Sequence, residues 1–405
     1  MAYCVEEIRK DFPSLHQLIR GKPPVYFDNA CMTLKPQEVV EAMNDYYFIH
    51  PACHKRAIHK FGEMTTLRYK KAREAVQEFI NAKEPQEIIF TRNTTEGVNL
   101  VANSFPFKKG DVVLTTDLEH NSNLLPWQVL SKTRGTIHKV FPLSHDFTFD
   151  LRRFEDVLGQ GVKLVSVFHS SHIIGCVLPV KDIIRLSHQY GALVLIDGAQ
   201  SVAHQKIDVL ELDADFFAFS FHKMFGPTGM GALYAKRPLL ENMSPFLVGG
   251  ETVEDVDYTS FVLSEIPDKF EAGLQNYAGA LGAEAAIKYL TRVGIEEIQR
   301  HELKLNTFIT GEVLGLPKFK LLGPQDAALR TGIINFFIED MDSGELSILL
   351  DRTNNIMVRS GVHCAHAWYR KCNLLPSVRV SLSFYNTIEE AKIFVQTLKE
   401  IIKHF

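Results

Sequence analysis

No run of about 18 apolar residues occurs in the chain, so no membrane-spanning helix is expected. The six cysteines (Cys4, Cys31, Cys53, Cys176, Cys364 and Cys372) form no CxxC pair. That argues against a disulfide framework or a zinc ribbon and suits a reducing cytoplasm. Long basic runs are missing too. Lysine plus arginine is 44 and aspartate plus glutamate is 48, a net charge of −4. Such a balance offers no electrostatic footprint for nucleic acid or an anionic membrane. The stretch MAYCVEEIRKDFPSLHQLIR is charged and periodic and lacks the apolar segment of a secretory signal. There is no internal repeat and no low-complexity linker. What is there is ordinary globular material, 46% hydrophobic and 23% charged over 405 residues. That length is too great for one small core and points to two or three domains.

Strand-helix alternation organises the middle of the chain. Apolar, β-rich runs fall at Gln86–Thr91, Asp111–Thr115, Lys163–His169, Ala192–Asp197 and Phe216–Ser220. Helical patterns separate them at Thr95–Ser104, Trp127–Arg134 and Lys181–Tyr190. Near-continuous apolar strands between helices predict a parallel sheet covered on both faces. The last third mixes helices (Ala278–Val293, Glu297–Leu314, Thr387–His404) with strands (Thr331–Phe337, Ile356–Arg359, Ser377–Ser383). It reads as a smaller α+β unit.

Two local patterns carry chemistry. Asp197, in Ile196-Asp197-Gly198-Ala199-Gln200, stands at the carboxyl end of a buried strand, where α/β sheets present ligand-binding groups. A solvated turn aspartate is the plain alternative. Lys223 follows the strand Phe216–Ser220 and precedes the glycine-rich Gly226-Pro227-Thr228-Gly229-Met230-Gly231. A desolvated lysine there can condense with a carbonyl, and glycines let backbone approach a ligand. A lysine for an aldehyde and an acid for a ring nitrogen are the needs of pyridoxal 5′-phosphate (PLP). Its phosphate finds hydroxyls and a helix N-terminus at Thr94-Thr95-Glu96. The same residues also read as a plain capping box.

The ordered segments TRNTTEGVNLVA, DLEHNSNLLPW, LIDGAQSVAH, DFFAFSFHKMFGPTGMGALY, HCA and FYNTIEEA resemble the class V aminotransferase superfamily. Within it they resemble group II cysteine desulfurases and selenocysteine lyases. The likeness runs from Asp28-Asn29-Ala30 to Tyr385-Asn386-Thr387. It implies an α/β PLP-dependent transferase of fold type I. The large domain then has a mostly parallel sheet flanked by helices, and a smaller α+β C-terminal domain follows. The expected divisions are an N-terminal helix within 1–20 packing on the small domain, a large PLP-binding domain at 21–275, and a small domain at 276–405 carrying the Cys364 loop.

Carried over residue by residue, the resemblance makes Lys223 the cofactor-linked lysine and Asp197 the partner of the pyridine nitrogen. It gives Gln200 to the ring hydroxyl, and Thr94, Thr95, Ser220 and His222 to the phosphate. His120 stacks on the ring and moves protons. Cys364, in Arg359-Ser360-Gly361-Val362-His363-Cys364-Ala365, is the sulfur-accepting nucleophile, with Arg359, His363 and His366 as nearby cations that favour its thiolate. Zinc on His363, Cys364 and His366 is the alternative, though so tight a trio rarely closes a tetrahedral site. Arg379 clamps the substrate carboxylate with its planar fork. Arg359, Ala30 and His172 complete the substrate side. The other five cysteines read as structural.

Three departures from the family pattern surround this pocket. Leu274 stands where a threonine usually reaches the neighbouring subunit's phosphate. His172 replaces a common asparagine, and Lys55-Arg56-Ala57-Ile58-His59 replaces His-Arg-Gly ahead of a second histidine. The expected activity is conversion of L-cysteine to L-alanine with a persulfide on Cys364. The sulfur then passes to an acceptor protein, in a homodimer of cytoplasmic location. Selenocysteine lyase or another carbon–sulfur lyase is the alternative within the chemistry. A PLP-binding regulatory homologue is the alternative outside it.

Overall fold

The computed structural model describes Tyr3–Phe405; the first two residues of the expected N-terminal element lie outside the described residues. Seven strands form the larger sheet: β1 (Ile88–Thr91), β2 (Val112–Thr116), β3 (Ile137–Phe141), β4 (Val162–Phe168), β5 (Leu193–Asp197), β6 (Phe216–Ser220) and β7 (Gly231–Ala235). Their order is β1-β7-β6-β5-β4-β2-β3, and only β7 runs antiparallel to its neighbours. Every residue of β1, β2, β6 and β7 is buried, as expected of strands covered by helices on both faces. The edge strand β3 has only Phe141 buried, which is why its IHKVF sequence carried no buried-strand signal.

Local chemistry sets the crossovers. Pro85–Glu87 forms a single 3-10 turn, so β1 begins at Ile88 rather than at Gln86. Asp150 caps the helix Leu151–Leu158 by accepting from Arg152 and Arg153 N–H. Gly135, at φ 71°, ends the helix Leu125–Arg134 in the left-handed conformation. Two further helices, Gln37–Ile49 and Lys60–Phe79, precede the sheet and pack with Tyr277–Val293. Among the described residues no helix is long and apolar enough to cross a membrane.

A second sheet follows: β8 (Phe319–Leu322), β9 (Ile333–Ile338), β10 (Arg359–Gly361) and β11 (Ser377–Ser381), antiparallel in the order β8-β9-β11-β10. It has its own core, in which Ile334, Phe336, Val378 and Val380 meet Leu305 and Phe394 of the covering helices. Val25 and Phe27 belong to that same core, and Val25–Tyr26 pairs in parallel with Ile356–Met357. The helix Val5–Arg9 is tied here as well: Arg9 Nη1 donates to Tyr385 O at 2.7 Å and lies 2.8 Å from Glu390 Oε1. We propose two units on this basis, the small one gathering both chain ends.

One buried ion pair locks the front of the large unit. Arg73, on the helix Lys60–Phe79, donates to both Glu271 oxygens at 2.7 and 2.8 Å. Glu271 also accepts from Tyr69 OH at 2.8 Å and from Phe90 N–H of β1 at 2.7 Å. One carboxylate thereby joins a helix, the sheet edge and the segment leading to Tyr277. Removing one partner strands a charge in a dry site, at a cost of about 3–5 kcal/mol. Glu271→Ala should lower the urea midpoint accordingly. The paired change Arg73→Met with Glu271→Leu should restore most of the loss; a double variant as unstable as the single one contradicts this account.

Candidate active site

Parallel strands release their chains at one edge, and the reactive side chains gather there. After β1, Asn93 caps the helix Thr94–Ser104: its Oδ1 accepts Glu96 N–H at 3.0 Å, and Glu96 in turn accepts Arg92 N–H. Capping thus falls to Asn93 and Glu96, which leaves both threonine hydroxyls on the cavity wall. Thr94 Oγ1 lies 2.7 Å from Ser220 Oγ, and Thr94 N–H donates to that same oxygen at 2.8 Å. Thr95 Oγ1 is 2.7 Å from Ser122 Oγ. Hydroxyls at a helix N-terminus make an anion cradle. Gly231 permits this approach. A Cβ there would sit 2.6 Å from Asn93 Cα, so this glycine makes room for backbone rather than for a ligand.

β5 ends on Asp197, which is buried and accepts Ala199 N–H at 2.9 Å. Burial pushes its carboxyl up, opposed by that hydrogen bond and by Lys223. Lys223 lies on the 3-10 turn Phe221–Lys223 after β6. Desolvation lowers its ammonium pKa, Asp197 opposes this, and Arg379 lowers it further. His222 shares the turn and is pushed down to about 4 by burial. Lys35 Nζ anchors the turn by donating to His222 O at 3.0 Å.

His120 follows β2. Its Nδ1 accepts Ser122 N–H at 3.0 Å, so the neutral ring carries its proton on Nε2. Burial, then Lys223 and the two arginines, push His120 down to about 3. The turn is held by Glu119, which accepts from Thr116 Oγ1 at 2.6 Å, Asn123 Nδ2 at 2.7 Å and Phe168 N–H at 3.1 Å. His172, beyond β4, meets the His120 ring edge-on at 4.8 Å and 68°. It is buried, held far below its ordinary pKa by desolvation, and its Nε2 has no partner among the described residues.

The second sheet supplies the far wall. Arg379 of β11 is buried; its Nη1 donates to His172 O at 2.8 Å and its Nη2 lies 3.5 Å from Asp28 Oδ1. Arg379 Nε has no partner among the described residues. Gln200 Nε2 donates to Ala30 O at 2.7 Å. Arg359 and Cys364 flank the mouth. All the residues proposed from sequence (Ala30, Thr94, Thr95, His120, His172, Asp197, Gln200, Ser220, His222, Lys223, Arg359, Cys364 and Arg379) line one cavity of about 220 Å³.

Two sequence arguments change. His363 is no cation: burial pushes it down to about 3, and its Nε2 lies 3.0 Å from Ser377 Oγ. His366 Nδ1 instead pairs with Asn121 Nδ2 at 2.9 Å, so of the three expected cations Arg359 is the permanent one. Among the described residues no three His, Cys, Asp or Glu side chains are grouped so as to hold a metal ion. Cys31, read as structural, lines the cavity and accepts from Arg359 Nη1 at 2.8 Å. Its position directly after Ala30 was the available signal. Ser122, Phe168 and Ser170 also line the cavity and were not singled out; Phe168 ends β4, and Ser122 and Ser170 follow strand ends that only the fold brings to one edge.

This fold and cavity define a class V aminotransferase. A family model described as Aminotransferase class-V matches residues 25–394, and the chain belongs to that family. Within it, the chain is 40% identical over 98% of its length to a probable cysteine desulfurase of Halalkalibacterium halodurans, 98% of which is covered. A probable cysteine desulfurase of a Synechocystis species is also 40% identical, over 98% of this chain and 96% of that one. Among solved structures, the apo cysteine desulfurase of Thermococcus onnurineus superposes with a TM-score of 0.94 at 37% identity, covering 99% of this chain and 98% of that chain.

Six histidines (His54, His120, His169, His172, His222 and His363) are held by desolvation well below the ordinary 6.5. The unfolded chain takes protons near 6.5 that the folded chain refuses, so their contribution is present above that value and lost as pH falls. Asp28, Asp197, Glu119 and Glu390 are shifted upward by burial and slope the other way, as does His204, whose burial is outweighed by Glu302; that is five groups against these six, with His138 and His301 lowered as well. The urea midpoint of the cofactor-free chain should therefore decline between roughly pH 7 and about 5, before ordinary carboxyls titrate. A flat midpoint across that window contradicts the neutral assignments.

Proposed function

We propose that this chain is a PLP-dependent cysteine desulfurase that converts L-cysteine to L-alanine and carries the sulfur on Cys364. The observation that carries this reading is the meeting of Lys223, Asp197, Arg379 and Cys364 on one cavity. The names of its relatives support it. The residues present fit PLP: an amine of lowered pKa, a buried carboxylate, an anion cradle at Thr94, Thr95 and Ser220, and an unpartnered imidazole nitrogen on His172. When bound, PLP supplies an electron sink for the α-carbon of an amino acid.

Each side chain then has a task. Lys223, whose amine is readily deprotonated, would hold the aldehyde and then be free to carry the α-proton. Asp197 would offer its carboxylate to the ring nitrogen, and the neutral His120 would pack on the ring. Thr94, Thr95, Ser220 and His222 would hold the phosphate, and Gln200 the ring hydroxyl. Arg379 clamps the substrate carboxylate in a dry site, with Arg359, Ala30 and His172 around it. Cys364 Sγ, as thiolate, bonds to the substrate sulfur as the carbon–sulfur bond breaks. The electron pair stays on carbon, which takes a proton to become alanine. The sulfur leaves later to an acceptor protein or thiol.

A homodimer belongs to this reading. Val40, Tyr47, Phe48, Ile49, Phe61, Met64 and Leu67 are exposed on the two helices Gln37–Ile49 and Lys60–Phe79, an apolar face that a second copy would cover. Leu274, also exposed, offers no hydroxyl to a partner's phosphate.

Lys223→Ala should lose both turnover and the visible absorption of lysine-bound PLP; a borohydride-trapped adduct at another lysine sinks the assignment. Cys364→Ser should keep the wild-type spectrum yet form no alanine from cysteine, since a hydroxyl carries no persulfide. If that variant makes pyruvate, ammonia and sulfide instead, or alanine at an unchanged rate, sulfur transfer through Cys364 is wrong.

A further inference from the structure

Of the six cysteines, Cys31 and Cys364 line the active-site cavity, and both influence the charge of Lys223. Cys176 is buried elsewhere, and Cys4, Cys53 and Cys372 are exposed away from it. The fold brings the two segments together at one strand. Asp28 bridges in parallel to Ser381, and Phe27 O accepts Ser381 N–H at 2.8 Å. Arg359 of β10 stands opposite Arg379, while β9 takes the other edge of β11, with Ile333 opposite Ser381 and Asn335 opposite Arg379. Asp28 and Arg359 thus share the free edge of β11 two residues apart, about 7 Å along a strand. Cys31 lies three residues beyond Asp28, and Cys364 three residues beyond Gly361.

Two details add to this placement. Arg359 Nη1 donates to Cys31 Sγ at 2.8 Å, so a permanent cation sits at this sulfur to balance the charge when it reacts as its anion. Cys364 itself sits on a strained loop. His363 and Cys364 have φ of 48° and 59°, consecutive left-handed conformations that cost side-chain-bearing residues energy and that recur at switch sites. The loop is pinned on one side by Asn121 N–H donating to Cys364 O at 2.9 Å.

We propose that Cys31 and Cys364 are a thiol pair, and that Cys31 discharges the Cys364 persulfide when no acceptor arrives. This rests on the desulfurase reading, which supplies the persulfide. The Cys31 thiolate attacks Cys364 Sγ, the inner sulfur. A bond forms between the two Sγ atoms, the bond from Cys364 Sγ to the outer sulfur breaks, and the outer sulfur leaves as hydrosulfide with the electron pair. The outer sulfur is reduced, the Cys31 sulfur is oxidised by the same amount, the Cys364 sulfur keeps its oxidation level in the disulfide, and the proton from Cys31 passes to solvent. No further oxidant is needed. The disulfide removes the nucleophile, so the enzyme rests in a locked form until an external thiol reduces it. Acceptor supply thereby governs whether the site stays open.

The test gives holoenzyme L-cysteine without any added thiol, followed by acid quench, alkylation and peptide mapping without reduction. The wild type should yield the Cys31 and Cys364 peptides joined, at the sum of their masses less two hydrogens, with sulfide released in step. Added dithiothreitol should restore alanine formation. Cys31→Ala should lose the joined species and accumulate the persulfide on Cys364. A wild type that holds the Cys364 persulfide with Cys31 free, or that carries the persulfide on Cys31, overturns the pair while leaving the desulfurase reading intact. No persulfide on Cys364 in Cys31→Ala overturns the desulfurase reading itself, and the discharge route with it.

Discussion

An amine and a carboxylate held out of water in the same cavity are what the rest of the structure serves. Burial works against the charge of both Lys223 and Asp197, while each favours the charged form of the other. In water each would be solvated and unreactive. At the carboxyl edge of a buried parallel sheet, neither side chain can turn away to solvent without taking backbone with it. The strands β5 and β6 pair in register, Asp197 opposite Ala218 and Leu195 opposite Phe216. The separation of the two groups therefore follows from strand spacing and the short turn Phe221–Lys223 that continues β6.

The same dryness governs the imidazoles. His120 and His172 touch edge-on and are neutral, because burial, and then the nearby positive charges of Lys223 and Arg379, disfavour an imidazolium there. A neutral His120 can lie against an aromatic ring and still exchange a proton. The carbonyl of His172 also holds Arg379, so one residue links the ring side of the cavity to the carboxylate clamp. Glu119 belongs to this scaffold. Its carboxyl group gathers three donors, Thr116 and Phe168 at two strand ends and Asn123 on the turn Asn121–Asn123, and keeps the His120 turn where it is.

The small sheet closes the site by geometry rather than by bulk. β11 carries Arg379, meets Arg359 across one edge and receives the Asp28 segment along it. Three stretches remote in sequence reach the cavity through one strand. That arrangement makes the wall opposite Lys223 a place where cations and thiols meet: Arg359, Arg379, Cys31 and Cys364. It also explains why the persulfide chemistry proposed here has a built-in consequence for Cys31, which no local pattern around that residue would suggest.

Much of this was legible in the residues. The apolar runs ending in Asp197 and Ser220 have the period and burial of parallel strands, and Lys223 beside glycines is not a surface lysine. Those features depend on local sequence and on the hydrophobic pattern, which a chain carries with it. The helices Gln37–Ile49 and Lys60–Phe79 and the edge strand β3 were not legible, because each is partly exposed and lacks a clean apolar stripe. The cap at Asn93 was misread by one position, since either Asn93 or a threonine can accept the amide of the first turn. His363 looked like a cation for Cys364 because the two are neighbours in sequence. Only the fold turns its ring inward toward Ser377, where burial keeps it neutral. Cys31 looked inert for the opposite reason: it stands more than 300 residues from Arg359, and pairing at Ser381 is what brings the two within hydrogen-bond reach. The sequence by itself determined the reactive groups and the strands that present them. The tertiary structure alone decided which of those groups are dry, which are charged and which thiols share a cavity, because desolvation and proximity are properties of packed neighbours.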